Sequence, residues 1–247
     1  MVQEYAGRQG AGCELHTVQY IERGTISTLD ARVLKGEEPG MLYIIMCGGT
    51  YQQWSRPRQL IEIGGEPLVA RTIRLLRENG VEDIAISSNN PVFEKFGVPI
   101  LKHENNYNAV GYNDFTGYWC EAFYPTDKPT CYIFGDVIFS PEAIKTIVET
   151  DTDDIEFFAS APPFSKDYPK TWAEPFALKV VDTDHLKSAI SLTKQYADQG
   201  LFNRKPIMWE LWQVIQAAPL NHIDYKSYIT INDYTCDIDN PEELFDG

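Results

Sequence analysis

The sequence is short of positive charge: 21 lysines and arginines stand against 36 aspartates and glutamates, leaving a net charge of -15 over 247 residues. A surface of that sign does not track a phosphodiester backbone, which excludes nucleic acid as a partner. An anionic small ligand would need a few local cations and a metal ion; the acidity itself reads as a solubility property. Cysteine is scarce and scattered. Cys13, Cys47, Cys120, Cys131 and Cys236 form no CxxC pair and are odd in number, which argues against a zinc site or a disulfide framework and leads us to expect reduced thiols in a cytoplasmic protein. No apolar run approaches the roughly 20 residues of a membrane helix, and the first residues lack the apolar core of a secretion signal. The four histidines suggest no His-centred catalytic dyad; His103 and His222 read as surface or strand-edge residues. Repeats and low-complexity tracts are absent.

What is present is a β-α alternation that begins at Met41. Residues 1–40 read as an extension of unclear role, or an upstream over-call of the start, whose HTVQYIERGTISTLDARVL segment suits a short hairpin before GEEPG breaks the pattern. From residue 41 to 247 a single domain is expected. LYIIM is a continuous apolar run, the pattern of a strand covered on both faces. PLVARTIRLLRENG reads as a helix with Pro67 in its first turn and Gly80 past its end. VEDIAIS, CYIF, IEFFASA, PFALKVV and YITINDY read as strands. SPEAIKTIVET, PIMWELWQVIQAA and NPEELF read as helices, the first with Ser140 as cap and Pro141 at the first helical position, the last with an Asn cap and Glu243 three residues on. The expectation is an α/β fold: three layers with a mostly parallel, mixed, Rossmann-like sheet.

Ligands of such sheets lie beyond the carboxyl ends of the strands, and three of those ends carry unusual residues. After LYIIM come Cys47, Gly48, Gly49 and Thr50, then Arg56 and Arg58. Glycine amides form an anion nest, and arginine offers a fixed charge with bidentate donors to phosphate; a tight turn with solvated arginines has the same letters. After CYIF stands Gly135-Asp136. Near the C-terminus, Asp237 and Asp239 are two apart, so in an extended chain both face one side. Together, a phosphate loop and hard oxygen donors from two other strand ends suit Mg²⁺ on a polyphosphate.

GGT…RPRQLIEIGGEPLVARTIRLLRENGVEDIAIS, FGDVIF and DIDNPEEL, in that order over residues 41 to 247, resemble the nucleotidyltransferase (nucleotide-sugar pyrophosphorylase and cytidylyltransferase) family, with its GT-A-like fold. Departures are a Tyr51 after Gly-Gly-Thr and Arg58 where the family has lysine. The resemblance implies attack by a phosphorylated acceptor on the α-phosphorus of a nucleoside triphosphate, with release of pyrophosphate. It makes Asp136 and Asp239 the Mg²⁺ ligands, with Asp237 a third or second-sphere one. Gly48, Gly49 and Thr50 become the triphosphate cradle, and Arg56 and Arg58 offset charge on the leaving pyrophosphate. The DIDNPEEL ending tilts the base towards cytosine.

On the acceptor side, NNYNAVGYNDFTGYW offers Asn108, Tyr112, Asn113 and Asp114 for a base or acceptor, TWAEPFALKV offers Trp172, Glu174 and Lys179, and NRKPIMWELW offers Arg204, Lys205 and Glu210; the tryptophans at 209 and 212 read as core. Lys179 is the expected holder of the acceptor phosphate. The acceptor is expected to be a sugar 1-phosphate, a phosphocholine-like alcohol or a phosphoamino acid such as phosphoglutamine, used for a surface polysaccharide or capsule precursor. Homo-oligomers are compatible with all of this. Two rival readings remain at this point: a nucleotide-sugar-dependent glycosyltransferase, although FGDVIF lacks a D-x-D pair, and an inactive nucleotide-binding module.

Overall fold

A computed structural model describes residues 40–48, 56–103, 108–111, 114–162 and 172–238, all within one unit, Pro39–Gly247; for residues 108–116 only the backbone is considered. The expected hairpin in residues 1–40 and the expected NPEELF helix lie outside the described residues.

The apolar run Leu42–Met46 forms β1, and β2 (Glu62–Ile63) and β3 (Glu66–Pro67) make a small hairpin through Gly64 and Gly65, both at positive φ. Helix α1 (Leu68–Glu78) follows with Val69, Ile73 and Leu76 buried, and Gly80, at φ 79°, ends it in the left-handed conformation that glycine adopts without strain. Then come β4 (Ile84–Ser87), β5 (Ile100–Leu101), a second hairpin of β6 (Asn108–Gly111) and β7 (Asp114–Thr116), β8 (Thr130–Phe134) and β9 (Val137–Ile138). Helix α2 (Pro141–Glu149) opens as expected, with the Ser140 hydroxyl accepting the Ala143 amide at 2.8 Å, a cap worth about 1 kcal/mol. Strands β10 (Ile155–Ser160) and β11 (Pro175–Val180), helices α3 (Thr183–Asp198) and α4 (Met208–Ile215), and strands β12 (Ile229–Ile231) and β13 (Cys236–Asp237) complete the order.

Seven strands form one sheet in the order β12-β10-β11-β8-β1-β4-β5. All neighbours are parallel except β11, which runs antiparallel to both β10 and β8. The mostly parallel sheet is therefore as expected, with one strand reversed. Helix α3 has no counterpart among the helices expected from sequence. Of its sixteen residues only Leu186, Ala189 and Thr193 are buried, too narrow a stripe to stand out.

Register divides the two layers. Phe157 lies opposite Leu178, and Leu178 opposite Tyr132, so all three share a face. There Phe157 meets Trp209 and Trp212 of α4, and Tyr132 meets Phe123 edge-on at 4.9 Å. Both tryptophans are core, as expected. The opposite face carries Cys131 beside Lys179, and against it lie α1 and α2, in contact with each other. Strands covered on both sides are near-continuous apolar runs, as β1 is and as β4 and β8 are apart from Ser87 and Thr130 at their ends.

At the carboxyl edge, β1 and β8 approach more closely than a side chain would permit. A Cβ on Gly135 would sit 2.3 Å from the Met46 carbonyl oxygen and 3.0 Å from the Cys47 sulfur. Replacing Gly135 with alanine is expected to displace the end of β1 and cost about 1–3 kcal/mol, the usual range for overpacking; a thermal melt unchanged to within a degree would refute this.

The buried thiols give the fold an alkaline limit. Burial pushes Cys120 up to about 11 and Cys131 up to about 12, and it also raises Cys47 well above its ordinary value, with the nearby Asp136 charge adding to the effect. In an unfolded chain such thiols ionise near 8.5. The folded state thus holds protons that the unfolded state releases, and stability falls as pH rises above about 8.5. Lys179, lowered by burial, works in the opposite direction but is one group against three. Melting temperatures are expected to be level from pH 7 to 8 and to decline steadily towards pH 10.5, with a shallower decline in Cys131→Ala.

Candidate active site

The carboxyl edge of β1 and β8 is organised by one side chain. Arg58 opens a 3-10 turn, Arg58–Leu60, and is 6% exposed. One amino group donates to the Asp136 carboxylate at 2.5 Å and the other to the Ile238 carbonyl at 2.5 Å. The Ile238 amide in turn donates to the Asp136 carbonyl at 3.0 Å, continuing the antiparallel pairing of β13 with β9. Three segments far apart in sequence therefore meet at a single guanidinium. A buried charge is tolerated only when paired and hydrogen-bonded, and both conditions hold here. The Asp136 side chain keeps 25% of its surface exposed.

The first turn is anchored from below. The Cys47 amide donates to the Ser87 carbonyl at 2.9 Å, and the Ser88 hydroxyl donates to the Cys47 carbonyl at 2.9 Å. With its amide committed and its thiol buried, Cys47 shapes the turn, and Gly48, which is exposed, is the first residue able to present its backbone to a ligand. Arg56 is exposed on the approach to Arg58. Gly49, Thr50, Tyr112, Asn113 and Asp239 lie outside the described residues, as does the side chain of Asn108. Asp237 is half-buried in β13, in register with Val137, which directly follows Asp136.

The second half of the sheet adds Glu174. Glu174 immediately precedes β11, whose Ala177 is in register with Ile133 of β8, the strand that ends two residues before Asp136. It is 5% exposed, its carboxylate accepts the Trp172 indole N–H at 2.6 Å, and its backbone exchanges bonds with Ser160. Lys179 is not brought to this edge. It sits opposite Cys131, near the start of β8, and its ammonium donates to the Val148 and Thr150 carbonyls at 3.1 and 2.6 Å. Those carbonyls are the open C-terminal end of α2, where a cation is favoured. Alternation along β11 gave Lys179 a face but not an end of the sheet, and the end decides its role.

Two features of the site carried no signal in the sequence. Gln59 is 3% exposed, packs against Gly135, and its amide oxygen has no partner among the described residues. Asp233 accepts the Ser140 hydroxyl at 2.5 Å and the Thr235 amide at 2.7 Å, while Thr235 accepts the Ser140 amide at 3.0 Å. This ring ties the start of α2 to the approach of β13.

The arrangement suits a divalent cation. Among the described residues no three of His, Cys, Asp and Glu stand together as a metal group, but the Asp136 carboxylate is partly open and pairs with Arg58. Such a hard oxygen donor fits Mg²⁺.

Comparison with known proteins gives the lineage. No curated protein matches the chain in sequence. Among solved structures, the inositol-1-phosphate CTP transferase from T. maritima superposes with TM-score 0.51 at 14% identity, covering 83% of this chain and 92% of that one. The CTP:phosphocholine cytidylyltransferase from Streptococcus pneumoniae gives 0.46 at 14% identity, over 83% and 96%. The 4-diphosphocytidyl-2C-methyl-D-erythritol synthase from Anaerococcus prevotii DSM 20548 gives 0.48 at 13%, over 83% and 94%. Residues 43–172, from β1 past Asp136 to the edge of the second half, match the MobA-like NTP transferase domain. The chain belongs to that family and is a nucleotidyltransferase.

Proposed function

We propose that this enzyme is a Mg²⁺-dependent nucleotidyltransferase that joins a nucleoside triphosphate, CTP by preference, to a phosphorylated acceptor. The reading is supported by the Arg58–Asp136–Ile238 junction, in which a buried guanidinium and a partly open carboxylate meet at strand ends, Arg58 and Asp136 lying within the residues that match this family's domain. The cytosine preference rests on the likeness of DIDNPEEL to the cytidylyltransferase ending.

In the reaction a phosphate oxygen of the acceptor attacks the α-phosphorus, a new P–O bond forms, the bond between the α-phosphorus and its bridging oxygen to the β-phosphate breaks, and pyrophosphate leaves. The acceptor oxygen is already ionised at neutral pH, so the protein need supply no general base. Alignment and charge neutralisation are what remain. Gly48, with Gly49 and Thr50, receives the triphosphate; Arg56 and Arg58 neutralise it. Asp136 and Asp239, with Asp237 as a third or second-sphere ligand, would hold Mg²⁺, which when bound would offset the charge gathering around the α-phosphate. Arg58 must turn part of its donor set from Asp136 to phosphate as substrate enters. Acceptors in keeping with this chemistry are a sugar 1-phosphate, a phosphocholine-like alcohol or a phosphoamino acid, and a surface-polymer precursor is the fitting product.

The test is calorimetric titration of CTP, UTP, GTP, ATP and dTTP with and without Mg²⁺. One triphosphate is expected to bind in a Mg²⁺-dependent way. Asp136→Asn, which keeps an acceptor for Arg58, is expected to weaken that binding at least tenfold, about 1.4 kcal/mol, while remaining folded. Metal-independent binding, or an unaltered affinity in the variant, would remove Asp136 from the site. Binding of a nucleotide diphosphate-sugar in place of any triphosphate would favour a glycosyltransferase.

A further inference from the structure

A cavity of about 580 Å³ lies between the Gly117–Tyr118 turn and the segment 197–206, with Tyr118, Asp198, Phe202, Arg204 and Lys205 around it. We propose that this cavity is the acceptor subsite and that Arg204 and Lys205 hold an oxyanionic group of the acceptor there; the inference rests on the nucleotidyltransferase reading and adds the chemistry of its second substrate.

Position is the first argument. Next to Tyr118, the Trp119 ring packs edge-on against Phe134 at 5.7 Å, and Phe134 ends β8 two residues before Asp136. On the other wall, Pro206 leads into α4, whose Trp209 donates its indole N–H to the Ala173 carbonyl at 2.9 Å, one residue before Glu174. The cavity is thus tied to two adjacent strands, β8, which ends two residues before Asp136, and β11, which begins directly after Glu174.

The second argument is the way Arg204 is held. Its Nε donates to Glu210 at 2.5 Å, with a longer contact of 3.4 Å from one amino group, and Glu210, at 3% exposure, also accepts the Ile207 amide at 2.9 Å. A buried carboxylate therefore fixes one edge of the guanidinium. The other edge belongs to a side chain 40% exposed and lining the cavity. A planar fork clamped on one side is prepared for a carboxylate or phosphoryl oxygen on the other. Lys205 adds charge beside it, in a chain that has only 21 cationic side chains. Phe202 and Tyr118, whose hydroxyl donates to Asp198, also line the cavity; they suit the organic body of a small acceptor.

Inorganic phosphate and acetate, titrated separately into enzyme saturated with Mg²⁺ and α,β-methylene CTP, read the subsite with the triphosphate position filled. Phosphate or acetate is expected to bind saturably. Lys205→Ala, and Arg204→Met paired with Glu210→Gln so that no buried charge is stranded, are each expected to weaken that binding at least tenfold and to leave the nucleotide affinity within twofold. Preference for phosphate identifies a phosphoryl oxygen as the group held, and preference for acetate a carboxylate. Equal affinity in wild type and both folded variants, or no anion binding at all, overturns the proposal and leaves Arg204 as a partner for Glu210 alone. Should the nucleotide analogue itself fail to bind, the nucleotidyltransferase reading fails. Anion binding to the unloaded protein, lost or kept in the same variants, then still decides the subsite.

Discussion

A guanidinium withdrawn from water is the constraint around which this domain closes. Removing Arg58 from solvent is costly unless its donors are met, and breaking such a buried pair typically costs about 3–5 kcal/mol. The sequence meets the demand with a carboxylate 78 residues away and a carbonyl 180 residues away. Satisfying one side chain therefore brings together the loop after β1, the loop after β8 and the strand that enters the C-terminal segment. The same act sets a guanidinium and a partly open carboxylate together at the carboxyl edge of the sheet. Here the folding problem and the assembly of the site share a solution, and the close approach of Gly135 to Met46 sets how near the two loops can come.

The order of strands and most helix boundaries were legible because each rests on local chemistry. Continuous apolar runs made β1, β4 and β8 visible, Ser140-Pro141 marked the start of α2, and Gly80 marked the end of α1. Strand direction was not legible: β10 and β11 have the same composition whether they run parallel or antiparallel, and only register shows that β11 is reversed. Helix α3 escaped because its buried stripe is three residues wide, its other positions being solvated or half-covered.

The candidate site was legible in part and for a related reason. Gly135-Asp136 and Arg58 stood out because glycine, a fixed cation and an acid at strand ends have few structural uses in combination. Lys179 misled because its letter states a charge and its strand position states a face, yet neither states which end of the sheet it occupies. Gln59 and Asp233 went unnoticed since nothing local distinguishes a glutamine or aspartate held in a loop from one in water; their partners are set by tertiary approach.

The double anchoring of α2 has a mechanical consequence. At its N-terminus the Ser140, Thr235 and Asp233 ring holds the helix to the approach of β13, and at its C-terminus the Lys179 ammonium holds it to β11. A rod pinned at both ends can neither slide nor pivot, so the Gly135–Ile138 connection leading into it has no slack. Asp136 lies within that connection and inherits its fixed position.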